Sequence, residues 1–328
     1  MRIDDGTRQP SDPAASESPS PAGRSTDPAR SPGPDLQPVG SESPTAARQE
    51  WLDRDGQRLS LRILDPNPTA PLVMLIPAMG VPARYYTPFI EALARQGLSS
   101  VVYDLRGTGA STPAPTRSSR YGLSDLVDDL DAVLRHPGVQ LDGRRVVLLG
   151  HSLGGHIALL YLATRRPPAP IAGVVLTASG LPYWRCFGPV YRWVVLGFSF
   201  IVNPVSAVVG YWPGIGFGGR QSHGVMRDWV HEARRGRLPH LNGTDPAAGL
   251  AAVDVPVLAI TVANDRLTPQ TTTQRLCGFL KRASVRWHHY DTAEAGGPLD
   301  HFRWTRAGEA LARRIARFIK ELRVPPAS

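Results

Sequence analysis

The chain has 328 residues, of which 42% are hydrophobic and 20% charged, and its formal net charge is +9. Residues 1–48 contain 9 prolines, 8 serines and only four sizeable apolar residues, too few to offset the entropy cost of ordering the segment. We therefore expect a disordered Pro/Ser-rich tail over residues 1–48 and one domain over residues 49–328. The tail has a net charge of −2, so that domain carries about +11.

The remaining composition excludes several classes of protein. The positive charge is nearly all arginine and has no interleaved aromatic residues, so we expect no nucleic-acid partner. Two cysteines, Cys186 and Cys277, are too few for a disulfide framework or a zinc site, and they fit a reducing compartment. No apolar run follows the polar start of the chain, so we expect no signal peptide and a cytoplasmic location.

One uncharged stretch, Trp193–Trp212, is long enough to cross a bilayer. Asn203-Pro204 interrupts it at mid-length, where lipid could not satisfy the carbonyl that a proline frees. We therefore expect two buried or lid helices here. An interfacial hairpin is the second option, and a membrane span is the least favoured.

Strands and helices alternate from residue 50 onward, which predicts a mainly parallel central sheet with helices on both faces. The predicted elements are a hairpin over Glu50–Leu64; strands over Leu72–Pro77, Ser100–Leu105, Arg145–Leu149, Ile171–Thr177, Val255–Val262 and Val285–Tyr290; and helices over 84–96, Leu123–Arg135, Leu153–Arg165, Pro269–Lys281 and Thr305–Leu322. In the second of these helices, Asp129 and three further aspartates are assigned to a solvated face. The alternation stops over about 181–252, a segment rich in aromatic residues, which predicts a lid insertion above the sheet.

A nucleophile motif follows the predicted strand that ends at Leu149. The residues Gly150-His151-Ser152-Leu153-Gly154 form G-x-S-x-G between a strand and a helix. A sharp turn there requires small residues on both sides of the serine, and the helix that follows directs its first N–H groups at a developing oxyanion. We predict Ser152 as the nucleophile and the Leu153 N–H as an oxyanion donor. The alternative is a serine that only caps the helix.

A catalytic serine needs a base, and the base needs a carboxylate to orient it. This strand-turn-helix motif resembles that of the α/β-hydrolases, in which the carboxylate and the histidine follow the serine in that order, on loops after later strands. Asp265 follows the strand that ends at Val262, and His301 follows the last strand, so we predict these two residues. His288 and His289 are rivals for the base, but both lie inside a predicted strand.

The second oxyanion donor is expected in the loop that follows the strand Leu72–Pro77. Within Pro77-Ala78-Met79-Gly80, the Met79 N–H has the expected position. Gly214–Gly219 satisfies the pattern G-x-G-x-x-G, but no strand-helix-strand unit surrounds it, so we expect no nucleotide site there.

Together these motifs, which extend over residues 50–322, resemble the α/β-hydrolase superfamily. Asp104–Ser111 is similar to the superfamily's structural D-x-R-G-x-G-x-S turn. The segments Pro77–Gly80, Ser179–Trp184, Gly210–Gly214 and Arg227–Trp229 resemble a branch of bacterial hydrolases related to serine-aminopeptidase-like and lysophospholipase-like proteins. The resemblance implies the α/β-hydrolase fold with a lid insertion. Around the base, that branch usually has Gly-His-Phe, whereas Asp300 stands here in place of the glycine.

The function expected from these residues is serine hydrolysis of an ester or thioester with an apolar acyl group. Trp184, Trp193 and Trp212 are predicted to contact that group from the lid, which is also expected to touch membrane or lipid peripherally. An acyltransferase with the same triad is the first alternative, and a non-catalytic binding protein on the same scaffold is the second. We expect no metal and no cofactor, a small-molecule acyl substrate as partner, and we leave the oligomeric state open.

Overall fold

The structure, a computed structural model, describes residues 46–322. Residues 1–45, nearly the whole predicted tail, lie outside the described residues, and the first strand begins at Arg48, the last residue of that prediction. This strand, β1, forms an antiparallel hairpin with β2 through a turn at Asp55-Gly56, as predicted. The positive φ of both turn residues is typical of such two-residue loops.

The strands and helices follow the alternation of the sequence. The strands are β1 Arg48–Arg54, β2 Gln57–Leu64, β3 Leu72–Ile76, β4 Ser99–Tyr103, β5 Val146–His151, β6 Ile171–Thr177, β7 Tyr211–Trp212, β8 Gln221–Ser222, β9 Val257–Val262 and β10 Val285–Tyr290. The helices are α1 Thr87–Arg95, α2 Leu123–Leu134, α3 Leu153–Thr164, α4 Tyr191–Val209, α5 His223–Arg235, α6 Ala247–Ala252, α7 Gln270–Cys277, α8 Thr292–Ala295 and α9 Glu309–Glu321.

Within residues 46–322, eight strands form the main sheet, in the order β1-β2-β4-β3-β5-β6-β9-β10. The six strands from β4 to β10 pair in parallel, and β2 pairs antiparallel with both of its neighbours. Strands β3, β4, β5, β6 and β9 are buried over their full length, because helices cover both faces of the sheet. This architecture confirms the predicted α/β-hydrolase fold class.

The two faces of the sheet carry separate apolar cores. On one face, α1 and α9 contribute Phe89, Leu93 and Ile315. On the other face, α2 and α3 contribute Leu130 and Ile157, and residues of the segment 181–252 join the same cluster. Alternate residues of each buried strand face opposite cores, so packing on both faces holds the strand in place. Because these strands are parallel, their carboxyl ends lie together at one edge of the sheet.

Asp129 corrects the expectation of a fully solvated face on α2. Its carboxylate is buried and accepts two hydrogen bonds, from Nε and Nη2 of the buried Arg106, at 2.5 and 2.7 Å. Arg106 belongs to the D-x-R-G-x-G-x-S turn, so the pair fixes that turn to the helix. A bidentate pair of this kind satisfies both charges inside the protein.

The uncharged stretch forms one helix, α4, and not the two helices that we expected from Pro204. A proline at this position leaves the carbonyl of Phe200, four residues earlier, without its helical partner. Both residues lie on the exposed side of the helix, where water reaches the backbone, so the helix continues through the proline. Of the described helices, α4 is the one long and apolar enough to cross a membrane by length and composition.

Candidate active site

Ser152 lies at the turn between β5 and α3, and its backbone is strained. Its φ of 54° and ψ of −118° are conformations that a residue with a side chain rarely adopts. This sharp turn places the side chain above the carboxyl end of the sheet, at the N-terminus of α3. Both features are those expected of an exposed nucleophile.

The glycines around Ser152 are required by close packing. A Cβ at Gly150 would collide with the backbone of Gly155, and a Cβ at Gly154 would collide with the carbonyl oxygen of Ile76 on β3. A Cβ at Gly155 would collide with Ser179 Oγ. The G-x-S-x-G spacing therefore reflects contacts of the turn with α3 and with the neighbouring strand.

Asp265 and His301 come together although they are 36 residues apart in the chain. His301 Nδ1 donates to Asp265 Oδ2 at 2.8 Å, and both side chains are buried. Burial by itself would raise the pKa of Asp265, but the hydrogen bond and charge of His301, with further bonds from Thr268, hold that pKa below its usual value. The carboxylate is thus ionised at neutral pH. It keeps the proton of His301 on Nδ1, which leaves Nε2 able to accept a proton.

Asp300, which stands where the resembling branch has glycine, shapes the loop of the base. Its Oδ1 accepts hydrogen bonds from the backbone N–H groups of Phe302 and Arg303, each at 2.8 Å. The side chain therefore closes a tight turn around His301 and does not compete with Asp265 for the imidazole.

A buried network that the sequence did not reveal connects the three loops of the site. The Ala78 N–H donates to the Tyr86 hydroxyl at 2.9 Å, and this hydroxyl lies 2.8 Å from His151 Nδ1. His151 Nε2 lies 2.9 Å from the carbonyl oxygen of His301, which can only accept, so Nε2 carries the proton and Nδ1 accepts from Tyr86. Burial, reinforced by the charge of His301, lowers the pKa of His151 well below its usual value and keeps the ring neutral.

This network also leaves one backbone donor available in the loop after β3. The Ala78 N–H is occupied by Tyr86, whereas the Met79 N–H takes part in no turn or loop hydrogen bond within residues 46–322. The same is true of the Leu153 N–H at the start of α3. Met79 and Leu153 both line the cavity described next.

A cavity of about 260 Å³ lies above the carboxyl ends of the strands. Ser152 and His301 are both part of its wall, with Met79 and Leu153 beside them. The rest of the wall is mostly apolar and comes largely from the segment 181–252. Its aromatic members are Phe187, Tyr191, Phe198, Phe217, Trp229 and Phe302.

Trp184, Trp193 and Trp212 do not line this cavity, which corrects the expectation that they form its wall. Trp193 packs against Trp184 with ring centroids 5.3 Å apart and ring planes tilted by 39°, and it is 60% exposed. Trp212 is buried, and its indole N–H donates to the carbonyl of Phe217 at 2.9 Å. It packs behind Phe198, so it supports the wall from outside.

A buried polar pair joins the segment 181–252 to the nucleophile helix. His156 on α3 lies 3.1 Å from Glu232 on α5 through Nδ1, and 3.1 Å from the carbonyl of Gly180 through Nε2. Burial would lower the pKa of His156, but the neighbouring Glu232 raises it above its usual value. His156 is also part of the cavity wall, so this pair is a polar point in an otherwise apolar lining.

The glycine-rich segment Gly214–Gly219 lies against the Met79 loop. A Cβ at Gly80 would collide with the carbonyl oxygen of Gly218, and a Cβ at Gly218 would lie 2.6 Å from Met79 Sδ. Both glycines also have positive φ. The G-x-G-x-x-G pattern here therefore serves close backbone contact between two loops of this chain.

Across residues 46–322, no group of three or more His, Cys, Asp or Glu side chains is arranged to hold a metal ion. His288 and His289 lie inside β10 as expected, where His288 contacts Glu294 and His289 contacts Thr261.

Comparisons with known proteins identify the family of the chain. The family model for serine aminopeptidase, S33, matches residues 67–210. RutD of Cronobacter sakazakii, which bears the name of a carbamate hydrolase, is 31% identical over 229 residues, covering 66% of this chain and 82% of that protein. RutD of Cronobacter turicensis is 38% identical over 133 residues, 39% of this chain, and this match spans 47% of that relative's length.

Among solved structures, a soluble variant of monoglyceride lipase from Saccharomyces cerevisiae matches with a TM-score of 0.65. The match covers 88% of this chain and 99% of that chain at 15% identity, so it shows the fold alone. The fold, the family match and the Cronobacter relatives agree with one another. The chain therefore belongs to the α/β-hydrolase superfamily, in a bacterial branch with RutD-like proteins, and it is a hydrolase.

Proposed function

We propose that the chain cleaves carboxylic esters or thioesters with an apolar acyl group, using Ser152, His301 and Asp265 as a catalytic triad. The observation that carries this proposal is the shared cavity. A serine on a strained turn and a histidine paired with a buried carboxylate both line it. This is the arrangement that acyl transfer through a covalent intermediate requires.

The proposed reaction proceeds in two steps. His301 Nε2 takes the proton of Ser152 as Oγ attacks the carbonyl carbon, and the N–H groups of Leu153 and Met79 stabilise the oxyanion. The imidazolium then returns its proton to the leaving alcohol or thiol, which leaves an acyl-enzyme. Water, deprotonated by His301, attacks the acyl-enzyme, and the imidazolium returns the proton to Ser152 Oγ as the acid leaves. Asp265 holds the imidazole in one tautomer throughout.

The lining of the cavity supports the choice of acyl group. Phe198, Phe217 and Trp229 present aromatic surface, while no arginine or lysine lies among the residues that line this cavity. A small, polar carbamate, the substrate class in the name of the Cronobacter relatives, would leave most of this surface unused. An apolar acyl chain would bury it. The apolar outer face of the segment 181–252 supports contact with lipid as part of the same proposal.

The proposed location is the cytoplasm, where a reducing environment keeps thiols free. Cys186 and Cys277 are both unpaired in the described part of the chain.

The test is labelling with a fluorophosphonate probe, followed by a panel of esters of increasing acyl length that includes a carbamate. We expect wild type to be labelled and to hydrolyse the esters, and Ser152→Ala to do neither. Equal labelling of both proteins would rule out Ser152 as the nucleophile, and a preference for the carbamate would rule out the acyl assignment.

A competing alcohol in the same assay separates hydrolysis from acyl transfer. We expect the free acid as the main product. A dominant transfer product would make the protein an acyltransferase with the same triad. An intact wild-type protein that neither hydrolyses nor transfers any panel substrate would favour a binding function.

A further inference from the structure

The helix α4 exposes a continuous apolar face to solvent. Its exposed residues repeat with the helical period, so they form a stripe along one side. The stripe consists of Trp193, Val194, Gly197, Phe200, Ile201, Pro204, Ala207 and Val208. Val208 is 73% exposed, Phe200 is 59% exposed, and Ile215 in the following loop is 71% exposed. A water-soluble surface rarely presents such a contiguous apolar area without a partner.

The polarity of α4 is opposite to that of an ordinary surface helix. Its two serines, Ser199 and Ser206, point inward and are buried. Ser199 Oγ accepts a hydrogen bond from Arg234 Nε at 2.9 Å, and Ser206 Oγ lies 3.0 Å from His223 Nδ1 on α5. Polar groups therefore anchor the helix to the protein, while the outward stripe has no charged side chain. Such a pattern indicates that the outer face meets an apolar medium.

The charged residues of the segment that carries this stripe are all positive. Residues 181–222 contain Arg185, Arg192 and Arg220 but no aspartate or glutamate. Within residues 46–322, none of these three guanidinium groups forms an ion pair with a carboxylate. The segment therefore has an uncompensated positive charge next to its apolar face.

Arginines lie near both ends and along one side of the stripe. Arg185 stacks on Trp184, which contacts Trp193 at the start of α4. Arg220 stacks on Tyr211, just beyond the end of the helix, with its guanidinium carbon 4.1 Å from the ring centroid. Along the side, Arg234 lies 3.9 Å above the ring of Phe200. Guanidinium groups beside aromatic rings suit the boundary between lipid phosphates and acyl chains.

We infer that α4 lies flat on the surface of an anionic phospholipid membrane, with its apolar stripe among the acyl chains and Arg185 and Arg220 on the phosphates. This inference rests on the proposed function and names the surface from which the acyl substrate arrives. The same helix lines the cavity with Tyr191, Val194 and Phe198. An acyl chain could thus move from the lipid into the cavity along one helix.

Two other occupants of the stripe fit less well. A second copy of the chain, related by a two-fold axis, would bring the arginines of both copies together, and the segment 181–222 has no acidic residue to pair with them. A membrane span would bury the carbonyl freed by Pro204 in hydrocarbon and would detach the inner face of α4 from α5. A membrane surface leaves that carbonyl near hydrated headgroups and keeps the inner contacts.

The experiment is co-sedimentation of the full chain with vesicles of phosphatidylglycerol or of phosphatidylcholine, at low salt and at about 0.5 M NaCl. Ser152→Ala is measured beside wild type, so that binding is scored without turnover. We expect both proteins to bind phosphatidylglycerol about tenfold or more tightly than phosphatidylcholine, and salt to weaken this preference.

Two sets of variants separate the contribution of the apolar stripe to vesicle binding from the contribution of the arginines. Ile201→Gln with Val208→Gln, two exposed residues outside the cavity wall, should weaken binding to phosphatidylglycerol vesicles by about tenfold or more. Arg185→Gln with Arg220→Gln should remove about tenfold of the preference for phosphatidylglycerol. The controls, Trp287→Gln on β10 and Arg317→Gln on α9, change an exposed apolar residue and an exposed arginine elsewhere and should bind like wild type.

Absence of vesicle binding by wild type would overturn the inference, and continued hydrolysis of short esters would show that the proposed function stands without it. Equal binding to both lipids would refute the role of the arginines. A dimer in solution that Ile201→Gln with Val208→Gln converts to a monomer, without vesicle binding, would show that a second copy covers the stripe. Conversely, vesicle binding by a protein that hydrolyses no ester would refute the proposed function alone.

Discussion

The edge of the sheet that carries Ser152 and the segment 181–252 above it are built in different ways. At the edge, loops after the strands hold each candidate catalytic side chain, and buried hydrogen bonds connect those loops. The segment above is held by aromatic packing, as between Phe198 and Trp229, and by a few buried polar contacts, and it exposes large apolar side chains to solvent. The first region is built to position atoms for a reaction. The second region provides most of the apolar wall of the cavity, so we expect it to determine which acyl groups enter the cavity.

The largest effect should come from Asp265→Asn, at the edge of the sheet. The amide cannot hold the same tautomer of His301, so we expect kcat for a short ester to fall by about 10⁴-fold with little change in the folded structure. The matched control is Asp300→Asn, which keeps the oxygen that accepts from Phe302 and Arg303 and should retain nearly full activity. Equal loss in both variants would contradict the assignment of Asp265.

A second test concerns the buried network of the same edge and its dependence on pH. His151 has a pKa below the ordinary value of 6.5 when folded, so below about pH 6.5 the unfolded chain binds a proton that the folded chain does not. Its contribution to stability is therefore present above that pH and is lost as the pH falls. Between pH 7 and pH 5 wild type should therefore lose the part of its stability that the neutral His151 contributes.

Urea unfolding of wild type and His151→Gln at pH 7 and at pH 5 measures this loss. Glutamine has no titrating group, so the variant should lose less stability than wild type over the same interval. The difference between the two proteins removes the contributions of other titrating groups, His156 among them. An identical pH dependence in both proteins would show that His151 is not held neutral.

The third test addresses the wall of the cavity. Phe198 contacts Trp212, Phe217 and Trp229 and lines the cavity, so Phe198→Ala should enlarge the space for the acyl chain. We expect the ratio of kcat/KM for long over short esters to change by about tenfold, with short-ester turnover kept. Phe198→Leu, which removes less volume, should show a smaller shift in the same direction and guards against misfolding of the alanine variant.

The smallest effect should come from Trp193→Ala. Trp193 is exposed and lies outside the cavity wall, so the preference for acyl length should stay within about twofold of wild type in the same ester panel. A shift as large as that of Phe198→Ala would mean that the indole moves into the cavity when substrate binds.

The sequence could predict the sheet edge because its signals are local. A strand, a strained turn and a helix within ten residues identify Ser152, and the order of the later strands points to Asp265 and His301. The roles of these residues stay predictions that the probe and the variants test. The cavity wall was harder to predict, because aromatic content alone does not distinguish Phe198, which faces the cavity, from Trp193, which faces solvent.

Local pattern thus determined the fold class, the hairpin at Asp55-Gly56 and the glycines that a tight turn requires, since backbone geometry depends on a few neighbouring residues. Only the tertiary structure decided which side of α4 is buried, that Asp129 pairs with Arg106, and that Tyr86 and His151 join three loops. These facts depend on groups far apart in the chain. Their interactions exist only after the sheet has brought the strand ends together, so no short window of sequence contains them.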